Sequence, residues 1–163
     1  MKTLLIVWHS RTGGAQAMAE AAAEAARAGA EAIVRSLPAA ETEPADLLAA
    51  DGYLFVCPEN LASMSGAMKE VFDRCYYPCL DRLNGRPYAA MICAGSDGEG
   101  AARQLARIAT GWRLKPIAEP KIVNVAAQTP DAILAPKRLT DAQLASCREL
   151  GATLAAGLAM GVF

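Results

Sequence analysis

The sequence predicts a doubly wound α/β fold, in which one parallel sheet of five strands carries helices on both faces. Two observations support this prediction. Apolar runs of the length of buried strands alternate five times with stretches of helical periodicity, and no internal repeat interrupts the alternation. The chain has 163 residues, which fits one domain of five such units and is short for a six-stranded sheet.

The five predicted strands are largely apolar runs, as expected for strands that are buried on both faces of a parallel sheet. The first of them, TLLIVWH, has no polar residue between Leu4 and Trp8. The second strand is closed by Pro38. The predicted ranges are 3–9, 31–37, 52–58, 86–95 and 121–127.

A predicted helix follows each strand, with apolar residues at helical spacing. The first helix ends at Gly29, a residue type common at helix C-caps, and the third has Ser65 as its N-cap. The last begins with a capping box, because Gln143 follows Thr140 by three residues. The predicted ranges are 15–28, a short helix within 44–51, 65–77, 98–112 and 140–161, while 129–138 is expected to form a loop with a turn.

This alternation implies right-handed crossovers and the flavodoxin-like strand order 2-1-3-4-5, in a single domain over residues 1–163. Ligands of such sheets bind at the carboxyl ends of the strands, where the strand order reverses. That rule selects three polar loops rich in Gly or Ser. They are HSRTGGAQ (9–16), PENLASMSG (58–66) and AGSDGEG (94–100).

The composition argues against several classes of partner. The formal net charge is −1, so there is no basic surface for nucleic acid and no acidic tail. No apolar stretch reaches the ~18 residues that cross a membrane. The N-terminus resembles a weak signal peptide, but its apolar run is short and leads into a glycine turn. We therefore expect a cytoplasmic protein with no nucleic-acid or membrane partner.

The five cysteines are expected to have structural roles. Their odd number, in a chain that is not small and secreted, argues against a disulfide framework. The motif CYYPC (75–79) suggests a metal or redox site, but a zinc site needs about four ligands. The single histidine, His9, lies far from this motif in the sequence, so we expect no bound metal.

The first loop, HSRTGGAQ, joins a buried strand to a helix N-terminus, where unpaired N–H groups and the helix dipole favour an anion. Its two glycines allow the backbone to approach a ligand, and Ser10 and Thr12 add hydroxyl donors. A phosphate is the expected ligand. The alternative is a plain helix cap with a flexible turn, in which Arg11 points to solvent.

Other known phosphate sites do not match this loop. A P-loop needs a lysine after the glycines, and the Rossmann fingerprint needs three spaced glycines and an acidic residue after strand 2. The second strand carries Arg35 and Ser36 instead. A thiol phosphatase would have a cysteine in the first loop, and a phospho-acceptor domain would have an aspartate after strand 3, where Cys57 and Pro58 stand.

The three loops together resemble the FMN-contacting loops of flavodoxin-like flavoproteins. The matching segments are SRTGG after strand 1, PENLASMSGAMKEVFDR after strand 3 and GSDGEG after strand 4. The subgroup that they resemble is the NAD(P)H-dependent FMN or quinone reductases, including the tryptophan-repressor-binding-protein type. In that subgroup the phrase P-x-x-x-x-S-M-S-G-x-[ML]-K-x-x-x-D-R recurs. The resemblance covers residues 3 to 112, and the strand order continues to the end.

The resemblance implies FMN as the cofactor and NAD(P)H as the electron donor. It places the first loop around the FMN phosphate, the second along the isoalloxazine ring and the third over the pyrimidine end of the ring. The cofactor-binding residues that it implies are Ser10, Arg11, Thr12, Gly13, Gly14, Ala15, Gln16, Pro58, Glu59, Asn60, Leu61, Ala62, Ser63, Gly95, Ser96, Asp97, Gly98 and Gly100.

One position departs from the family pattern. Flavodoxin phosphate loops usually carry a third hydroxyl residue where this chain has Ala15. We consider three consequences: Gln16 supplies a substitute donor, Arg11 compensates with its charge, or FMN binds more weakly and exchanges as a substrate.

Four polar side chains near the expected ring have two interpretations each. A carboxylate of Glu59, Asp97 or Glu99 would disfavour the anionic reduced flavin and lower its potential, or it would be a solvated loop charge. His9 would touch the cofactor, or it would serve as a structural hydrogen-bonding residue.

Two methionines and three aromatic residues in or near the third and fourth predicted helices also have more than one interpretation. Met68 lies on the apolar face of this helix and is expected in the core, whereas Met64 would pack either in the core or on the flavin. Tyr76, Tyr77 and Trp112 are expected to be packing residues, and by resemblance the two tyrosines are also candidates for a substrate pocket.

We expect a reductase that passes electrons from NAD(P)H to a quinone, a flavin or a similar small acceptor. A dedicated electron shuttle is usually strongly acidic, whereas the formal net charge here is −1. A shuttle usually also stacks an aromatic residue on the flavin, and the second and third loops contain no aromatic residue. An electron-transfer flavodoxin and a flavin-free regulatory domain remain as alternatives. Nicotinamide and flavin exchange hydride without a protein acid or base, so no catalytic residue is assigned. The resemblance also implies a homodimer or homotetramer.

Overall fold

The computed structural model describes residues 1–29 and 32–163, and five of its strands occupy the predicted apolar runs, while two short strands at 63–64 and 115–116 lie outside them. The predicted start of the second strand, at Glu31, lies outside the described residues. The strands are β1 Thr3–Trp8, β2 Ile33–Pro38, β3 Gly52–Asn60, β4 Ser63–Met64, β5 Pro87–Ala94, β6 Lys115–Pro116 and β7 Lys121–Asn124.

The five predicted helices are present, with ends that differ by one or two residues, and a further short helix lies in the segment 129–138 that was predicted as a loop. They are α1 Gly14–Gly29, α2 Pro44–Ala49, α3 Gly66–Cys79, α4 Glu99–Gly111, α5 Pro130–Leu134 and α6 Asp141–Met160, and Ala39–Glu41 forms a short 3₁₀ helix. The predicted capping box of α6 is confirmed, since the Gln143 N–H donates to Thr140 Oγ1 and the Thr140 N–H donates to Gln143 Oε1.

The long strands confirm the flavodoxin-like order. Their sequence across the sheet is β2-β1-β3-β5, all parallel, and both β6 and β7 pair with the outer edge of β5. The fifth position of the predicted order 2-1-3-4-5 is therefore shared by two short strands. β6 lies beside the start of β5 and β7 beside its end.

The central strands are buried because helices cover both faces of the sheet. Along β1, Leu4 and Ile6 pack in a cluster with α1 and α6, whereas Leu5 and Val7 pack in a cluster with α2, α3 and α4. Each of these four side chains is fully inaccessible to solvent. An unbroken apolar run is therefore what a strand between two helical layers requires.

Two segments predicted as loops contain regular structure. The 58–66 segment continues β3 to Asn60 and returns as β4, which forms a hairpin around Leu61 and Ala62. These two residues have φ angles of 50° and 61°, the left-handed pair of a type I′ turn, although neither is Gly, Asn or Asp. The 129–138 segment contains α5, whose first turn is capped by the Thr129 hydroxyl.

All five cysteines are buried and free. Burial raises the pKa of the Cys57 thiol to about 12 and that of Cys93 to about 11, so both stay protonated at neutral pH. Within the described ranges, no group of three or more His, Cys, Asp and Glu residues could hold a metal ion. In the same residues no helix has the length and apolarity needed to cross a membrane.

The two helices on one face of the sheet approach each other at a glycine. An added Cβ at Gly151 of α6 would lie 2.3 Å from the Ala22 carbonyl oxygen of α1, closer than any real contact. Gly151→Ala should therefore lower the free energy of unfolding by about 1–3 kcal/mol, because α6 must move away from α1.

Gly111→Ala is the matched control, because an added Cβ at this α4 residue meets nothing within 4 Å. It should leave stability unchanged or raise it by about 0.5–1 kcal/mol through helix propensity. Urea unfolding measured by circular dichroism checks both variants. Equal stabilities for the two would show that the α1–α6 approach is not tight.

Candidate functional site

The carboxyl ends of β1, β3 and β5 meet at one edge of the sheet, and two side-chain links join the loops that follow them. His9 Nδ1 and Ser65 Oγ share a hydrogen bond of 2.8 Å, which connects the first loop to the second. The Glu59 carboxylate accepts hydrogen bonds from the third loop and its helix. The parallel topology therefore brings the three predicted loops together.

The first loop presents a set of donors suited to an anion. Gly13 has a φ of 95°, and an added Cβ there would meet nothing within 4 Å. The next residue begins α1, so the first-turn N–H groups of this helix have no intrahelical acceptor. Ser10 Oγ accepts from the Gly13 N–H at 3.1 Å, which leaves its own hydroxyl proton to donate. A phosphate fits this combination of backbone and hydroxyl donors.

The residue that departs from the family pattern faces inward. The side chain of Ala15 is 1% exposed and belongs to the core between the sheet and α6. The Gln16 amide is turned along the outside of the helix, where Nε2 donates to Glu20 Oε1 at 2.8 Å. Arg11 is exposed. In this geometry Gln16 does not replace the missing hydroxyl.

Close packing explains why residue 14 is a glycine, in addition to its position in the first loop. An added Cβ would lie 2.5 Å from Cys93 Sγ and 3.3 Å from Lys137 Cβ. The backbone N–H of Lys137 donates to the Thr12 carbonyl at 2.8 Å. The segment after α5 therefore lies directly against the first loop, although about 125 residues separate them in sequence.

The second loop is a hairpin that is docked on α4. The Met64 N–H donates to Gln104 Oε1 at 2.8 Å, and Met64 is 4% exposed. Met64 therefore packs in the core, as the fully buried Met68 does. At the tip of the hairpin Leu61 is 95% exposed.

Glu59 is neither a solvated charge nor a free carboxylate. Its Oε1 accepts from the Gly98 N–H at 2.8 Å and its Oε2 from the Ala101 N–H at 3.0 Å. These two N–H groups lie at the N-terminus of α4, where the helix dipole favours negative charge. An added Cβ at Gly100 would lie 2.1 Å from the Ala62 carbonyl oxygen, so the hairpin and α4 also touch through backbone.

The third loop is held from the other side by Asn124, the last residue of β7. Asn124 Nδ2 donates to the Ser96 carbonyl, and Asn124 Oδ1 accepts from the Ala126 N–H at 2.8 Å. Asp97 and Glu99 are exposed, and Asp97 Oδ1 accepts only a long bond of 3.5 Å, from the Glu99 N–H. Their charges are solvated, in contrast to that of Glu59.

His9 acts as a structural hydrogen-bonding residue between the first and second loops. Ser65, its partner, is 1% exposed and occupies the N-cap position of α3, but its hydroxyl makes no cap hydrogen bond. Burial and, to a smaller extent, the charge of Arg11 lower the pKa of His9 below its usual 6.5. The imidazole is therefore neutral at pH 7.

The aromatic residues of α3, and Trp112 directly after α4, lie apart from the three loops. Trp112 is 8% exposed and packs edge-on against Phe72, with ring centroids 5.0 Å apart. Tyr76 is 39% exposed and Tyr77 is 79% exposed, and their ring centroids lie 5.2 Å apart, so the two tyrosines pack on each other at the surface. A groove of about 220 Å³ between these helices contains no residue of the three loops, and its lining is Lys69, Phe72, Asp73, Tyr76, Ile108, Gly111 and Trp112.

The strand order and the three linked loops at the carboxyl edge define the protein as a flavodoxin-like α/β protein. A model of the family described as NADPH-dependent FMN reductase matches residues 1–129. The chain belongs to this family.

Two curated proteins match part of the chain. A flavodoxin of Aquifex aeolicus is 32% identical over 100 residues, which cover 61% of this chain and 54% of the relative. An NAD(P)H dehydrogenase (quinone) of Acidithiobacillus ferrooxidans is 34% identical over 96 residues, which cover 45% of this chain and 47% of the relative. The chain spans about half the length of the curated relatives it matches.

Solved structures share the fold over nearly the whole chain. A flavodoxin from the domain Archaea superimposes with a TM-score of 0.75 at 19% identity, covering 94% of this chain and 96% of that one. A WrbA-like flavodoxin from Agrobacterium tumefaciens gives a TM-score of 0.73 at 20% identity, covering 95% and 96%. At these levels of identity, the two similarities establish the fold alone.

Three residues of this region were missed by reasoning from the sequence. Gln104 and Asn124 bind backbone groups of the loops, and Lys137 lies against the first loop. Gln104 stands on the predicted helix next to the third loop, so its position gave a weak signal. Asn124 lies in the middle of the fifth predicted strand and Lys137 in a predicted loop, and no local pattern distinguishes either residue.

Glu59→Ala should lower the free energy of unfolding by about 1–2 kcal/mol, because two N–H groups at the start of α4 lose their acceptor. Glu99→Ala is the matched control, since it removes an exposed carboxylate from the first turn of the same helix. Its cost should stay below about 0.5 kcal/mol. Urea unfolding compares the two, and equal losses would contradict the capping role of Glu59.

The lowered pKa of His9 makes stability depend on pH in a defined direction. The unfolded chain takes up a proton on the imidazole at a higher pH than the folded chain does. Stability contributed by this group is therefore present above about pH 6.5 and is lost as the pH falls through the lower folded pKa. His9→Gln should lose less stability than the wild type between pH 7.5 and 5.5 in urea unfolding. An identical loss in both proteins would contradict this assignment.

Proposed function

We propose that the chain binds FMN across the three loops and acts as an NAD(P)H-dependent oxidoreductase that reduces a small acceptor such as a quinone or a flavin. Membership of the NADPH-dependent FMN reductase family supports the cofactor and the class of donor. The similarity to an NAD(P)H dehydrogenase (quinone) supports the class of acceptor. The arrangement of the loops supports the position of the cofactor.

The first loop would hold the phosphate of FMN. Ser10 and Thr12 would donate their hydroxyl protons, and the first-turn N–H groups of α1 would donate from the helix N-terminus. Gly13 leaves open the space that a Cβ would fill, which suits a closely approaching ligand. Ala15 would contribute its backbone N–H alone, because its methyl group is buried in the core.

The hairpin and the third loop would contact the ring. Glu59 occupies the N–H groups of Gly98 and Ala101, so these two cannot serve the flavin. Within the described residues the N–H groups of Ser96 and Asp97 make no hydrogen bond, which leaves them available to ring oxygens. The role of Glu59 would then be to set the spacing between the hairpin and this loop.

The observation that carries the reductase proposal is the absence of any aromatic side chain from residues 58–66 and 94–100. With no ring from these loops stacked on the flavin, one face stays open to a nicotinamide or a quinone. Bound FMN supplies the hydride-accepting chemistry, and the protein supplies position and electrostatics. No acid or base of this chain is required at the reacting atoms.

An electron-transfer flavodoxin is the second candidate, and the 32% identity to the Aquifex flavodoxin favours it. It predicts a flavin that is reduced by partner proteins and hardly at all by NAD(P)H. The formal net charge of −1 speaks against it, because docking on redox partners is usually steered by a large net charge.

A visible spectrum with and without added FMN, followed by stopped-flow mixing with NADPH or NADH, tests the proposal. The expected result is a flavin spectrum that bleaches on mixing and recovers when a quinone is added. Bound FMN that does not react with either nucleotide would support the shuttle. No binding at tens of micromolar FMN would contradict both flavoprotein proposals and favour a flavin-free domain.

The position of the phosphate is tested by a pair of glycine variants. Gly13→Val places side-chain bulk in the proposed phosphate site and should weaken FMN binding about tenfold or more, measured by quenching of flavin fluorescence. Gly85→Val imposes similar backbone strain at a φ of 77° before β5, with nothing within 4 Å of the new Cβ. This control should keep its FMN affinity. Equal affinities of the two variants would contradict the placement.

A further inference from the structure

We propose that Lys137 supplies the positive charge of the phosphate subsite on the first loop, so that the site selects FMN over uncharged riboflavin. This inference rests on the proposed function and adds to it a residue that determines specificity. It concerns a side chain that lies outside the three loops and outside residues 1–129, which the family model matches.

The position of Lys137 against the first loop is fixed by its backbone. Its N–H donates to the Thr12 carbonyl at 2.8 Å, and its Cβ lies 3.3 Å from the point that a Cβ on Gly14 would occupy. Thr12 and Gly14 flank Gly13, the residue with the open, left-handed backbone. Cγ of Lys137 lies 3.5 Å from the same point, so the side chain begins directly beside the proposed phosphate site.

The ammonium keeps a donor for a ligand. Lys137 Nζ donates to the Ile133 carbonyl at 2.9 Å and to the Ala135 carbonyl at 2.6 Å. An ammonium has three N–H groups, and among the described residues these two carbonyls are its only acceptors. The two bonds hold the side chain at the end of α5, and they leave the third N–H without an acceptor among the described residues, so that it is available to an anion.

The charge of Lys137 acts on the Cys93 thiol near the end of β5. Burial raises the pKa of the Cys93 thiol, and Lys137 acts against that rise. Cys93 Sγ lies 2.5 Å from the point that a Cβ on Gly14 would occupy, so the thiol and the loop share this neighbour. The field of the ammonium therefore extends to the start of α1.

A charge from outside the first loop suits the phosphate, because the loop's own residues supply only an exposed arginine and no third hydroxyl. A phosphate monoester carries about −1.5 to −2 charges at pH 7. Ala15 replaces a hydroxyl and is buried, and Gln16 bonds to Glu20 on the outer face of the helix. Arg11 is exposed, so its charge is weakened by solvent. Lys137 is the cation whose position is fixed by bonds to this loop and to α5.

The test compares the dissociation constants of FMN and riboflavin for Lys137→Met, Lys137→Arg and the wild type, by quenching of flavin fluorescence. Lys137→Met should bind FMN about tenfold more weakly and riboflavin within about twofold of the wild type, because the lost contact is a charge-assisted hydrogen bond. Lys137→Arg keeps the charge and should stay within about threefold for FMN.

Arg138→Gln is the matched control, because it removes one positive charge from the next, exposed residue. It should change both constants by less than about twofold. A second readout is the salt dependence of FMN binding between 0.02 and 0.3 M NaCl, which should be shallower for Lys137→Met than for the wild type.

Three results with the variants would overturn this inference alone. Equal losses for FMN and riboflavin in Lys137→Met would show that the lysine only supports the fold of α5. Unchanged FMN affinity would remove it from the site, and an equal effect of Arg138→Gln would reduce it to a general surface charge. A wild-type chain that binds neither flavin would overturn the proposed function itself, and with it this inference.

Discussion

The site depends on one interaction, the binding of the Glu59 carboxylate to the N-terminus of α4. This residue lies near the end of β3, just beyond its buried part, and its two oxygens accept from the N–H groups of Gly98 and Ala101 at the start of the helix that follows β5. Two loops that are adjacent only because β3 and β5 are parallel neighbours thereby become one rigid unit. The carboxylate is well suited to this task, because the helix dipole and two unpaired N–H groups both stabilise its negative charge.

The hairpin that carries Glu59 can be strained because α4 holds it from several sides. Leu61 and Ala62 both have left-handed backbones, which cost L-residues with side chains about 1 kcal/mol each. Gln104 binds the returning strand, and the absence of a Cβ at Gly100 lets the Ala62 carbonyl approach the helix closely. These contacts offset the strain and give the edge of the proposed flavin site a single conformation, with Leu61 exposed at its tip.

Several residues of the site have a structural role that differs from the role the sequence suggests. Gly14 was interpreted as a place where the backbone approaches a ligand, yet its missing Cβ is required by Cys93 on β5. Glu59 and Asp97 looked alike as acidic loop residues, but the first is an internal helix cap and the second is solvated. Local sequence cannot separate such cases, because the partner that decides each role comes from another strand or helix.

The sequence by itself determined the strand order, the three loops at the carboxyl edge and the capping box of α6. These follow from rules that act along the chain: burial on two faces demands continuous apolar runs, and Thr140 reaches Gln143 within one helical turn. Only the tertiary structure decided that the fifth strand position is shared by β6 and β7, that 58–66 is a hairpin and that Lys137 lies beside Thr12. Those features depend on contacts between residues that are distant in sequence, and such contacts leave no periodic pattern in either partner.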